Sequence, residues 1–224
     1  FMILIHGGGW VEGNKNDLDG YLEVLKRNGP EYAVFNINYR LAASGQNIFP
    51  AQELDVKKCI EFIYSKRNEY NISDKFVLLG ASAGGHLALL HAYKYTTPVK
   101  VKAVVSFFGP TNLTAFYNNP PNIFIPVALQ NVTGTTPQLN PLLYQNSSPV
   151  SFVSAASCPT LLLQGGNDLL VPASQAELLK AKLITAGVNH QYVLYPNGGH
   201  GDWDATTYAD AFTKIDAFLS IHNP

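Results

Sequence analysis

Charged side chains are scarce in this sequence: 15 Lys and Arg and 16 Asp and Glu among 224 residues, a formal net charge of -1. Without a basic excess there is no face to neutralise a phosphate backbone, which argues against nucleic acid as a partner. Cysteine is nearly absent as well. Cys59 and Cys158 lie far apart and form neither a CxxC nor a Cys/His ligand spacing, so a zinc site is not expected and free thiols are preferred to a disulfide. Long hydrophobic runs are lacking: "FMILI" and "AVVSFF" fall far short of the roughly 20 residues needed to cross a bilayer, so no membrane span is expected. There is no initiator Met. The chain opens at Phe1 inside an apolar run and reads as part of something longer, so a signal peptide would be invisible. Sequons at Asn71, Asn112, Asn131 and Asn146 are a weak pointer to secretion, and compartment and oligomeric state stay open.

What is present is an apolar fraction of 46%, enough for one sizeable core. Unalternating apolar runs of strand length recur at 2–5, 33–37, 76–79, 101–107, 160–163 and 191–195. Runs of that kind suit strands buried on both faces. Between them, Leu18, Tyr21, Leu22 and Leu25, then Val56, Ile60 and Ile63, then Ala176, Leu179 and Leu183 repeat at helical spacing. Pro50 and Pro172 suit helix starts, Gly187 suits a helix stop, and 208–221 carries Phe212, Ile215 and Leu219 on one side of a closing helix. The alternation predicts a doubly wound, mostly parallel α/β sheet with helices on both faces, in a single domain over 1–224. The interruption at 109–157, rich in Pro, Asn, Thr and Ser, is too long for an ordinary connection and reads as a lid-like insertion.

Between the run at 76–79 and the apolar helix after it stands "GASAGG". Gly-x-Ser-x-Gly between a strand and a helix forces Ser82 into a strained turn with its hydroxyl exposed, and Gly80 and Gly84 are there because a Cβ would collide in so tight a crossing. From the 18 Gly and 12 Ser of this chain the pattern is expected about 0.08 times by accident. A nucleophilic serine needs a base within hydrogen-bond reach, oriented by a carboxylate. Asp168 follows the apolar run of "TLLLQGGND" and His200 follows "YVLYPNGGH", which places both on loops at the sheet edge that carries Ser82. The order Ser, Asp, His is the order of this elbow. Asp202 and Asp204 sit beside the histidine without a strand of their own. His6, His86, His91, His190 and His222 are less well placed as bases. Asp168 also has a bland reading, as a turn-forming residue that caps the helix starting near Pro172.

Directly after the first strand stands "HGGGW", residues 6–10. Its glycines let the backbone approach a substrate, and the N–H groups of Gly8 and Gly9, with that of Ala83, are the candidate oxyanion donors. His6 is expected to hold the loop by hydrogen bonds. Trp10, with Phe116, Tyr117 and Phe124, is a candidate for lining an acyl or aryl pocket, with ordinary core packing as the alternative. No GKS/T or GxGxxG pattern is present to suggest phosphate binding.

Together, "HGGGW", "GASAGG", "GGND" and "GGHG" resemble the α/β-hydrolase superfamily, in particular the carboxylesterase branch related to hormone-sensitive lipase, including bifunctional feruloyl and acetyl xylan esterases. "NINYRLA" and "FPAQELDVKKCIEFI" are similar to connecting elements of that branch, with Arg40 and Asp55 read as a structural ion pair. The resemblance implies hydrolysis of carboxylic esters, free or polymer-linked, through an acyl-enzyme and without a metal or cofactor. It also implies one or two strands before the first strand here and, in many members, an N-terminal cap. With neither, the 33–39 strand would form an exposed edge. An amide hydrolase such as an aryl formamidase or a peptidase would use the same residues, and a binding module that has lost catalysis is the reading from another class.

Overall fold

The computed structural model describes residues 1–28 and 32–223. Six parallel strands form one sheet in the order β2-β1-β3-β4-β5-β6. The strands are β1 (Met2–Ile5), β2 (Val34–Ile37), β3 (Val77–Ala81), β4 (Ala103–Phe107), β5 (Thr160–Gly165) and β6 (His190–Tyr195). Every residue of β1, β3, β4 and β5 is buried, as unalternating runs require of strands covered on both faces. The two edges differ. Three of the four β2 residues are half-buried, and β6 exposes Gln191 and Leu194.

Successive residues of each strand point to opposite faces and so feed two cores. On one face Ile3, Ile5, Leu78, Val104 and Leu162 meet α2 (Ala51–Ser65), α3 (Ala83–Lys94) and α7 (Ala173–Thr185) through residues such as Ile60, Leu87 and Leu179. On the other, Met2, Leu4, Val77, Val105 and Leu161 meet α1 (Asp19–Asn28) and α8 (Ala205–His222) through Leu25, Phe212 and Ile215. Pro50 and Pro172 sit at the N-caps of α2 and α7, and Gly187 ends α7 at φ +66° with its N–H donated to the Ile184 carbonyl. Arg40 and Asp55 form the expected pair, bidentate at 2.8 Å for both contacts. Cys59 and Cys158 are free thiols.

Residues 109–157 hold three short helices, α4 (Leu113–Asn118), α5 (Phe124–Thr133) and α6 (Pro141–Asn146). Some of the Asn and Pro residues that resemble loop composition are helix starts. Asn112 and Asn140 accept hydrogen bonds from Ala115 N and Leu143 N, and Pro141 occupies the first turn of α6. Gln175 of α7 fastens the segment to the helix layer by accepting from the backbone of both Thr111 and Asn112, and within the segment Ser148 Oγ accepts from Leu113 N.

The strand order reverses at β1, which has β2 on one side and β3 on the other. A crevice therefore opens beyond the carboxyl ends of β1 and β3, where ligands gather in open parallel sheets. No helix among the described residues is long and apolar enough to cross a membrane.

Two measurements check this architecture. An added Cβ on Gly84 would lie 2.0 Å from the Ile5 carbonyl oxygen, whereas one on Gly20, exposed in α1, would meet nothing within 4 Å. Gly84→Ala should unfold several degrees lower, and Gly20→Ala should be unchanged or gain up to about 1 kcal/mol from lost unfolded-chain entropy. The second concerns pH. Burial lowers His86 to about 4 and His91 to about 3, both in α3. The unfolded chain takes up these protons first, so stability is full above the ordinary histidine value and falls as pH drops from 6.5 towards 4. The loss is on the order of 2 kcal/mol per histidine between pH 7 and 5. Neither ring nitrogen of His91 has a partner among the described residues, and His91→Leu should flatten this dependence in denaturant titrations.

Candidate active site

Ser82 occupies the turn between β3 and α3 with φ 54° and ψ -121°, a conformation that L-residues avoid. The turn is held by the Ser82 N–H donating to the Phe107 carbonyl at 2.9 Å and by the Ser82 carbonyl accepting from His86 N at 3.0 Å. Both flanking glycines are forced by close approach: a Cβ on Gly80 would lie 2.2 Å from the Gly84 carbonyl oxygen, and Gly84 itself abuts β1.

Three side chains distant in sequence meet here. Ser82 Oγ lies 2.9 Å from His200 Nε2, and His200 Nδ1 lies 2.7 Å from Asp168 Oδ2. The Asp168 carboxylate is fully buried, and its two oxygens divide the labour. Oδ1 accepts from Leu170 N at 2.9 Å and Val171 N at 2.8 Å, while Oδ2 faces the imidazole. One oxygen thus forms the turn and the other meets His200, while α7 starts at Pro172 without a side-chain cap, so Asp168 is not the expected helix cap. Since a carboxylate is acceptor-only, Nδ1 carries a proton and Nε2 is left free to accept one from the serine. Phe108 backs the imidazole with ring centroids 4.6 Å apart.

The other histidines lie outside this relay. His6 is buried, with Nδ1 donating to the Gly7 carbonyl at 2.8 Å and its ring stacked on Tyr39 at 4.3 Å. Tyr39 donates to the carbonyls of His6 and Gly7 at 3.0 and 2.9 Å, a clamp on the glycine loop that sequence reasoning did not single out. Burial lowers the His6 pKa, which favours the neutral ring. His190 bonds the Val188 carbonyl and His222 packs on Phe218. Asp204 caps α8 through Thr207 N.

The glycine loop lies against the serine. A Cβ on Gly7 would come 3.3 Å from Ser82 Cβ, and Gly8, at φ +94°, has no room for one, since it would sit 2.1 Å from the Glu12 carbonyl oxygen. Gly8, Gly9 and Ala83 line the same cavity as Ser82 and His200, and none of their N–H groups has an acceptor among the described residues. That cavity measures about 570 Å³. Its lining includes the apolar residues Trp10, Phe116, Ile125, Ala128, Leu129 and Val171, together with Glu12, Asp17, Tyr21 and Tyr208. The insertion thus supplies only part of the enclosure; the glycine loop, the loop after β5, Tyr21 of α1 and Tyr208 of α8 contribute as well.

Of the expected aromatic lining, Trp10 and Phe116 reach the cavity. Tyr117 instead packs edge-on against Tyr144, and Phe124 is 72% exposed. Trp10 is buried, and its indole N–H donates to His86 Nδ1 at 3.1 Å, so its pocket-lining and core-packing readings both apply.

The family model described as BD-FAE matches residues 1–183. The probable carboxylic ester hydrolase LipM of Mycobacterium tuberculosis is 31% identical over 188 residues, covering 78% of this chain and 42% of LipM. Esterase LipQ of the same organism is 28% identical over 234 residues, covering 98% of this chain and 55% of LipQ. The chain thus spans about half the length of the curated relatives it matches. Among solved structures, a truncated carbohydrate esterase from gut microbiota superposes with a TM-score of 0.80 at 25% identity, covering 98% of this chain and 85% of that one. With the parallel sheet, the turn after β3 and these matches in hand, the chain belongs to the BD-FAE family and has the α/β-hydrolase fold.

Proposed function

We propose that this chain is a serine hydrolase of carboxylic esters, with Ser82 as nucleophile, His200 as general base and acid, and Asp168 as the carboxylate that holds the imidazole. The single observation that carries the proposal is the continuous relay from Ser82 Oγ through His200 to a buried Asp168, 2.9 and 2.7 Å long. Ser82 Oγ attacks the ester carbonyl while His200 Nε2 takes its proton. The tetrahedral oxyanion accepts hydrogen bonds from Gly8, Gly9 and Ala83, and collapse expels the alcohol with the proton returned by His200. Water then attacks the acyl-enzyme by the same route and the acid leaves. Asp168 stays ionised throughout and stabilises the imidazolium. The chemistry requires no metal or cofactor.

The cavity suits an ester with a compact apolar group against Trp10 and Phe116, and the Glu12, Asp17, Tyr21 and Tyr208 side chains in its lining suit a hydroxyl-bearing partner. With the family and a carbohydrate esterase neighbour, this makes short acyl esters the substrate class, with acetyl and feruloyl esters of carbohydrates as the first candidates.

Ser82→Ala should lower kcat for nitrophenyl acetate by at least about 10³-fold with its melting temperature preserved. Turnover like that of the parent would remove Ser82 as nucleophile. Asp168→Asn keeps an oxygen for Leu170 N and Val171 N but presents the wrong partner to Nδ1, so it should fold normally and lose on the order of 10⁴ in kcat. A series of nitrophenyl esters of increasing acyl length, beside acetylated xylan, methyl ferulate and a formyl-arylamine, assigns the bond cleaved. Esters should be turned over and the formyl-arylamine should not. The reverse order would establish an amidase on the same residues.

A further inference from the structure

His86 stands one helical turn beyond Ser82 and takes no part in the proton relay, yet it is fully buried and both of its ring nitrogens are engaged. Nδ1 faces the Trp10 indole nitrogen at 3.1 Å, and Nε2 faces the Ser147 carbonyl oxygen at 2.7 Å. An indole can only donate and a carbonyl can only accept, so the ring is neutral with its proton on Nε2. One imidazole therefore ties together three pieces of chain: α3 behind Ser82, the glycine loop ending in Trp10, and the end of α6 in the 109–157 segment.

The connection to Trp10 matters because of where Trp10 stands. It follows Gly8 and Gly9 directly and has φ +65°, a left-handed conformation costly for a bulky residue. Something has to hold it there. Its carbonyl accepts from Ala42 N at 2.9 Å, and its side chain meets His86 edge-on with ring centroids 5.2 Å apart, alongside the hydrogen bond. Phe49 also packs against the imidazole, with ring centroids 5.9 Å apart. The backbone of Trp10 sets the direction in which the Gly8–Gly9 amides leave the loop. An error of well under 1 Å there is enough to spoil an oxyanion contact.

We propose that His86 is a positioning residue for acyl transfer, holding the Gly8 and Gly9 amides in register with Ser82 through its hydrogen bond to Trp10 and anchoring that loop to the segment that walls the cavity. This deepens the serine hydrolase reading and rests on it. His86 itself touches no reacting atom. Because the donors would be displaced and not deleted, the expected effect is smaller than the ~10² to 10³ lost when an oxyanion donor is removed.

The test compares His86→Leu, His86→Gln and Trp10→Phe on a soluble nitrophenyl ester, with melting temperatures measured alongside. His86→Leu leaves the Trp10 N–H without its acceptor, and kcat should fall about 10- to 100-fold while KM moves less than about 3-fold. His86→Gln retains one acceptor and one donor and should recover most of the loss. Trp10→Phe removes the same hydrogen bond from its other end, so it should lower kcat comparably, and the double variant with His86→Leu should be no slower than the slower single. If His86→Leu does not fold, Trp10→Phe against Trp10→Phe combined with His86→Gln carries the comparison, and the second change should then add little. An unchanged kcat in folded variants, equal changes in kcat and KM, or fully multiplicative losses would each overturn the proposal. Those outcomes leave the nucleophile untouched. Failure of the parent reading would show separately, as a wild-type chain inactive on esters or a Ser82→Ala variant that is not.

Discussion

The closeness of α3 to the end of β1 is the constraint on which the rest of the site depends. Ile5 pairs with Gly80 across the β1–β3 ladder, so the loop after β1 and the turn after β3 start one strand spacing apart, a little under 5 Å. Gly84 then lets the helix enter against the Ile5 carbonyl with no side chain between them. The glycine loop that continues from β1 has Ser82 as its neighbour from the outset. Nothing has to fold over or close to bring them together, because the register of two buried strands does so. Strain at Ser82 is the local consequence, and the surrounding packing over-determines it.

The carboxylate follows a similar economy of means. A buried charge is costly unless its lone pairs are satisfied. Asp168 meets that requirement with two backbone N–H groups and the imidazole, and the amide of Gln164 lies at 3.4 Å. The same bonds that make its burial tolerable fix the loop after β5, and they leave one oxygen aimed at His200. The imidazole, held on that side by Asp168 and backed by Phe108, has one nitrogen free to face Ser82. This is preorganisation in a concrete sense: each group is already oriented before a substrate arrives.

How much of this is legible in the sequence depends on the range of the interaction. The strands are legible because β1, β3, β4 and β5 are buried on both faces and read as unbroken apolar runs. Ser82, Asp168 and His200 are legible because chemistry at the ends of parallel strands leaves a polar residue and glycines directly after each run. The helices at 109–157 are hidden because they span only 6, 10 and 6 residues, and two of them open with Asn or Asn-Pro, which also mark turns. Tyr39 and His86 escape for another reason. Each acts on a loop far away in the chain, with His86 and Trp10 separated by 76 positions, and no spacing rule connects such pairs. The lining of the cavity divides the same way. Trp10 reaches it from the glycine loop and Phe116 from α4, while Tyr117, the next residue of the same short helix, turns to Tyr144 and Phe124 is exposed at the start of α5.

The account stands on Ser82 as the atom that becomes acylated. The most direct measurement is covalent trapping with a nitrophenyl phosphonate, followed by peptide mass spectrometry and residual esterase activity on the same samples. The account predicts one adduct per chain, on Ser82, with activity falling in proportion to its occupancy. An adduct on a different residue that abolishes activity, or full esterase activity with Ser82 stoichiometrically modified, would contradict it.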